Sequence, residues 1–102
     1  MTILTDPEGH EIQALHRLSE GFAGKTILEI GCGSGRLTRL IAPQAVQMVA
    51  IDPDAEKVTQ AQAQSPPEDL EKTAYIAIGL ETYAKQYKPD HHFDSVILSW
   101  SL

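Results

Sequence analysis

Glu29, Gly31, Gly33, Gly35 and Asp52 are the residues of this 102-residue chain whose types and spacing can do chemistry. The three glycines alternate within Gly31-Cys32-Gly33-Ser34-Gly35, directly after an apolar run of Ile27, Leu28 and Ile30. Glycine has no Cβ, so a loop of this kind lets the backbone approach a bound ligand closely. Leu37, Leu40 and Ile41 follow at helical spacing, and a helix start aims its free N–H groups at that ligand. Asp52 ends the next apolar run, roughly twenty residues on, where open parallel sheets place a carboxylate that accepts from ribose hydroxyls. Glycine loop and acid together imply a nucleoside-containing ligand. Two plainer readings stand beside this one: Glu29 as an ordinary polar strand residue, and Asp52 as a helix cap of the kind Asp54 also offers.

The elements that must position these residues alternate. Short apolar stretches at 25–30, 46–51, 75–78 and 93–98 read as strands. Between them lie a short helix closed by Pro43, a helix at 55–64 capped by Asp54, and a helix at 81–88 with Tyr83 and Tyr87 on one face. Ahead of the first strand, Thr5, Pro7 and Glu8 form a helix-start signature, and Ile12, Leu15, Leu18 and Phe22 give an apolar stripe ended by Gly21 and Gly24. Strands apolar on both faces and alternating with helices indicate a parallel sheet covered on both sides. The expected architecture is α/β: a Rossmann-like three-layer sandwich, with residues 1–24 as a preceding helix and 25–102 as the β/α core.

Composition narrows the function. A net charge of −6 gives no general attraction for nucleic acid or an anionic membrane, so both are disfavoured as partners. No apolar run is long enough to span a bilayer, and the first residues carry no secretory pattern, so the expected location is the cytoplasm. Cys32 is the single cysteine, which excludes an internal disulfide. It reads as a small loop filler. His91 and His92 lack partners at ligand spacing, and no metal site is expected.

A dinucleotide loop of the G-x-G-x-x-G type needs glycine or alanine at position 36, where this chain has Arg36. The stretch Ile27-Leu28-Glu29-Ile30-Gly31-Cys32-Gly33-Ser34-Gly35 instead resembles motif I of the class I S-adenosylmethionine-dependent methyltransferases. Val49-Ala50-Ile51-Asp52 is similar to the second motif of that family, and Phe93-Asp94-Ser95-Val96 to its fourth strand. The resemblance implies S-adenosyl-L-methionine as cofactor. It implies that Glu29 orients the methionine amino group, directly or through water. Gly31, Cys32, Gly33 and Gly35 would lie against the methionine and ribose. Asp52, with Pro53 beside it, would hold the ribose hydroxyls. Leu80 would pack on the adenine, Glu81 would supply an acceptor, and Ser99 would sit at the end of the fourth strand. Many relatives carry an aspartate after the third strand where this chain has Leu80.

The expected reaction is in-line methyl transfer from a sulfonium to a small-molecule acceptor. No catalytic base can be named, nor the acceptor. Family sheets continue beyond the fourth strand, so the expectation is the cofactor-binding half of such an enzyme, a fragment cut off after that strand and inactive alone. Strand order 3-2-1-4 would leave the fourth strand as an open edge, a route to self-association. Two alternatives remain: a non-catalytic binding module of the same fold, and an NAD-dependent oxidoreductase.

Overall fold

A computed structural model of the chain describes residues 2–5, 19–86 and 93–99. They form one sheet of five parallel strands with helices on both faces. The strands are β1 (Thr2–Thr5), β2 (Thr26–Ile30), β3 (Gln47–Asp52), β4 (Thr73–Ala77) and β5 (Ser95–Leu98). A 3-10 turn spans Ser19–Phe22, and the α-helices are α1 (Arg36–Ile41), α2 (Ala55–Gln64), α3 (Pro67–Leu70) and α4 (Leu80–Gln86). Strand order is β1-β5-β2-β3-β4, which places the strand before the glycine loop at the centre.

Side chains alternate across β2 and β3 and so feed two cores. On one face Ile27, Met48 and Ile97 pack with Leu37 and Ile41 of α1 and with Phe22. Farther along that face, Cys32 and Ala50 meet Val58 of α2 and Tyr75. On the other face Leu28, Val49 and Ile51 meet Tyr83 of α4. With both faces covered, the strands read as continuous apolar runs, and the three-layer expectation holds.

Local chemistry explains most boundaries. Asp54 caps α2, accepting from the N–H groups of Glu56 (3.1 Å) and Lys57 (3.2 Å). Asp94 fixes the start of β5 against β2: its Oδ2 accepts from the Thr26 N–H at 2.9 Å, and its own N–H donates to the Thr26 carbonyl at 2.8 Å. The Phe-Asp pair before β5 is thus explained by packing of Phe93 into a core cluster and by this register clamp.

Two expectations need correction. The preceding segment is not helical from its first residues: Thr2–Thr5 form β1, because Thr-Ile-Leu-Thr has the β-branched composition of a strand and the β5 backbone offers it partners. The rest of the expected first helix, up to residue 18, lies outside the described residues. Consequently the β5 edge is not open. β1 pairs along it in parallel from Thr2↔Ser95 to Thr5↔Leu98, which removes the edge proposed for self-association. The core order 3-2-1-4 itself is observed, as β4-β3-β2-β5. Helix α3 was not anticipated; Pro67 at its first turn with Glu68 and Asp69 following is its local signal. Tyr87, His91, His92 and Trp100 lie outside the described residues.

Candidate cofactor site

The site lies at the carboxyl ends of β2, β3 and β4. Gly31, Gly33 and Gly35 have φ values of +82°, +56° and +85°, a backbone region that residues with a Cβ rarely enter. This conformation folds the chain back sharply enough for the N–H groups of Gly31 (2.8 Å) and Cys32 (3.0 Å) both to reach the carbonyl of Ile51. Arg39 donates from Nη1 to the Ser34 carbonyl at 2.7 Å and braces the loop from behind.

Asp52 joins loop to strand. Its Oδ2 accepts from the Gly33 N–H at 2.9 Å and its Oδ1 from the Asp54 N–H at 2.8 Å. An ionised carboxylate offers about four lone-pair positions, so acceptor capacity remains for a ligand's hydroxyls. Capping of α2 falls to Asp54, which separates the two roles that Asp52 had in sequence.

A cleft of about 340 Å³ opens beside this carboxylate, lined by Gly31, Asp52, Pro53, Lys57, Gly79 and Leu80 over a floor of Ile30, Ile51 and Ile78. Apolar walls with a few polar groups at one end suit a nucleoside: a flat ring and a pair of hydroxyls. Leu80 is 48% exposed, an apolar surface presented at the cleft. A second hollow of about 390 Å³, lined by Arg39, Pro43, Asp69 and Lys72 among others, is a poorer candidate. It lies toward the starts of β3 and β4, and its Lys72 ammonium already donates to the carbonyls of Pro43 (3.0 Å) and Ala45 (2.9 Å).

Glu29 sits beneath the loop, fully buried on the α1 face of the sheet. Its two carboxylate oxygens accept from the hydroxyls of Thr38 in α1 and Ser99 beyond β5. The Ser99 N–H in turn donates to the Ile30 carbonyl at 2.9 Å. One buried acid therefore ties together the central strand, the helix after the loop and the exit of β5. The Cys32 thiol lies close to both carboxylates. Burial, and then the nearby charges of Glu29 and Asp52, push its pKa from 9.0 up to about 12.

Of the residues predicted from sequence, Gly31, Asp52, Pro53 and Leu80 line the cleft together. Gly33 reaches it through its N–H bond to Asp52, and Cys32 is enclosed, with its thiol turned to the Gly33 carbonyl. Gly35 faces away: a Cβ there would stand 2.8 Å from the Ala61 Cβ of α2, so its small size serves helix packing. Glu81 is exposed in the first turn of α4 and is not among the lining residues. Lys57 and the isoleucine floor were missed. Lys57 is one turn into α2, and the Asp54 cap that fixes that turn was the available signal.

Residues 10–102 match the methyltransferase-domain family. A ubiquinone biosynthesis O-methyltransferase from Idiomarina loihiensis is 28% identical over 92 residues, covering 79% of this chain and 37% of that protein. The chain thus spans little more than a third of that relative's length. An S-adenosylmethionine dependent methyltransferase from Mesorhizobium loti superposes with a TM-score of 0.68 at 24% identity, over 86% of this chain and 38% of its own. The Trypanosoma brucei PRMT1 enzyme-prozyme complex with AdoHcy gives 0.71 at 24% identity, over 87% and 28%. These two likenesses establish the fold. With the family matched over nearly the whole chain, it belongs to the methyltransferase-domain family, among the class I S-adenosylmethionine-dependent methyltransferases that its glycine loop resembles.

Proposed function

We propose that this chain forms the donor site of a methyltransferase and binds S-adenosylmethionine in the cleft beside Asp52. The observation that supports the reading is the Gly33–Asp52 hydrogen bond, which joins a close-approach loop to an acid of the ribose-binding type. When bound, the cofactor supplies a methyl group already activated on a sulfonium. The protein's task is then to position and to exclude water. Asp52 holds the ribose hydroxyls with its remaining lone pairs. Ile51, Ile78 and Leu80 enclose the base. Glu29 and Asp52 provide negative charge on either side of the loop, which favours the cationic methionine end. Glu29 acts from beneath, fixing Thr38 and Ser99 so that the loop and the β5 exit keep their spacing.

The acceptor proposed is a small molecule. The likeness to an O-methyltransferase of ubiquinone biosynthesis supports this, as does a net charge of −6 that gives nucleic acid no general attraction. Among the described residues no helix is long and apolar enough to cross a membrane. A cytoplasmic setting suits the single, buried, unpaired thiol of Cys32.

Amide chemical shifts test the site. Added S-adenosylmethionine should move the resonances of Gly31, Gly33, Asp52, Gly79 and Leu80. Shifts confined to the hollow around Arg39 and Lys72, or none at all, would overturn the assignment.

A further inference from the structure

The cleft's side-chain chemistry is uneven, and that unevenness bears on how a nucleoside is recognised. Among the described residues lining it, Ile30, Ile51, Ile78 and Leu80 offer no hydrogen-bonding side chain. Asp52 supplies acceptors. Lys57 is the one side-chain donor. The backbone of Lys57 is fixed near Asp52: its backbone N–H donates to Asp54 Oδ1 at 3.2 Å, and the Asp54 backbone N–H donates to Asp52 Oδ1 at 2.8 Å, while its side chain is exposed.

A purine offers ring nitrogens that accept and, in adenine, an exocyclic amine that donates. Reading the amine with a side chain requires an acceptor on the wall; among the described lining residues Asp52 is the one side-chain acceptor, Leu80 offers none and Glu81 is off the wall. A lysine ammonium has three donors and no acceptor, so it can meet only the ring nitrogens. If Asp52 holds the ribose, the acceptor nearest to that end is N3, beside the glycosidic bond.

We propose that Lys57 is a cofactor-contacting specificity residue whose ammonium donates to N3 of the purine, leaving the 6-substituent unread by any side chain of the described wall. This inference rests on the donor-site reading above. It assigns to the site a tolerance for 6-oxo as well as 6-amino purines, provided N3 is present.

The test is calorimetric titration of the full chain and of Lys57→Met and Lys57→Arg with S-adenosylhomocysteine, its 3-deaza analogue and S-inosylhomocysteine. Lys57 is exposed, so both variants should keep the parental melting temperature. The parent chain should bind the 3-deaza analogue about tenfold more weakly than S-adenosylhomocysteine. It should bind the inosyl compound within about threefold of the adenosyl one. Lys57→Met should lose about tenfold on S-adenosylhomocysteine and no longer distinguish the 3-deaza analogue, and Lys57→Arg should restore the discrimination. Equal binding of the 3-deaza and parent compounds by the unaltered chain would overturn the role of Lys57 alone. So would a loss of tenfold or more on the inosyl compound. Absence of any binding by the unaltered chain would overturn the donor-site reading as well.

Discussion

The Gly33 N–H donates to Asp52 Oδ2 at 2.9 Å across 19 residues of sequence. Loop and acid are therefore one hydrogen-bonded unit, and each constrains where the other can be.

Replacing Asp52 tests that unit. Asp52→Ala removes two bonds from backbone N–H groups as well as the proposed ribose contacts. Hydrogen bonds to a charged group are worth about 1.5–3 kcal/mol, so affinity for S-adenosylhomocysteine should fall roughly ten- to hundredfold. Asp52→Asn keeps one acceptor oxygen and should fall between. Titration calorimetry of the three proteins gives the order, and equal affinities would exclude Asp52 from the ligand.

Gly35 should be intolerant of a side chain on packing grounds. Gly35→Ala meets both a φ of +85° and an Ala61 Cβ at 2.8 Å, and should cost about 2–4 kcal/mol. Adding Ala61→Gly should recover the steric part and leave the backbone part. Gly21→Ala, where nothing lies within 4 Å and φ is not positive, should stay within about 0.5 kcal/mol. Urea denaturation separates the three.

Thr38 and Ser99 should matter through Glu29. Thr38→Val keeps shape and removes one hydroxyl from a fully buried carboxylate, and Ser99→Ala removes the other. Each should destabilise by about 1–3 kcal/mol. The double variant should lose less than the sum when Glu29→Gln is also present, because the buried charge is then gone. Denaturant midpoints of the set give this cycle, and strict additivity would contradict a shared network.

The raised Cys32 pKa makes a pH prediction with a defined sign. The folded state holds the thiol proton up to about 12 while the unfolded chain releases it near 9.0. Below pH 9 the thiol is protonated in both states and the contribution is fully present. Above it the unfolded state binds fewer protons, so stability falls by about 1.4 kcal/mol per pH unit until pH 12. Cys32→Ala should lack this slope. Urea midpoints at pH 8 and pH 10 test it, and identical slopes in the two proteins would contradict the burial of the thiol.

Sequence made the centre of the sheet legible and the periphery less so. The strands carrying Leu28 and Val49 are apolar on both faces, and the Asp54 cap marks the start of α2, so order and helix fell into place. Thr2–Thr5 was misread because capping signals at Thr5 and Pro7 are local, whereas the partner that makes it a strand, β5, lies some ninety positions later. The glycines and Asp52 were legible because their spacing encodes a backbone requirement. Lys57 was not, since membership of a cleft wall depends on how α2 packs on the sheet. Glu29 was visible as an acid in a strand, but its partners Thr38 and Ser99 come together only in three dimensions.

The central claim is that the cleft beside Asp52 binds S-adenosylmethionine, and calorimetric titration of the chain with that cofactor and, separately, with NAD tests it most directly. Saturable binding at one site, with no heat from NAD, is the predicted result. No binding at millimolar S-adenosylmethionine, or tighter binding of NAD, would contradict it.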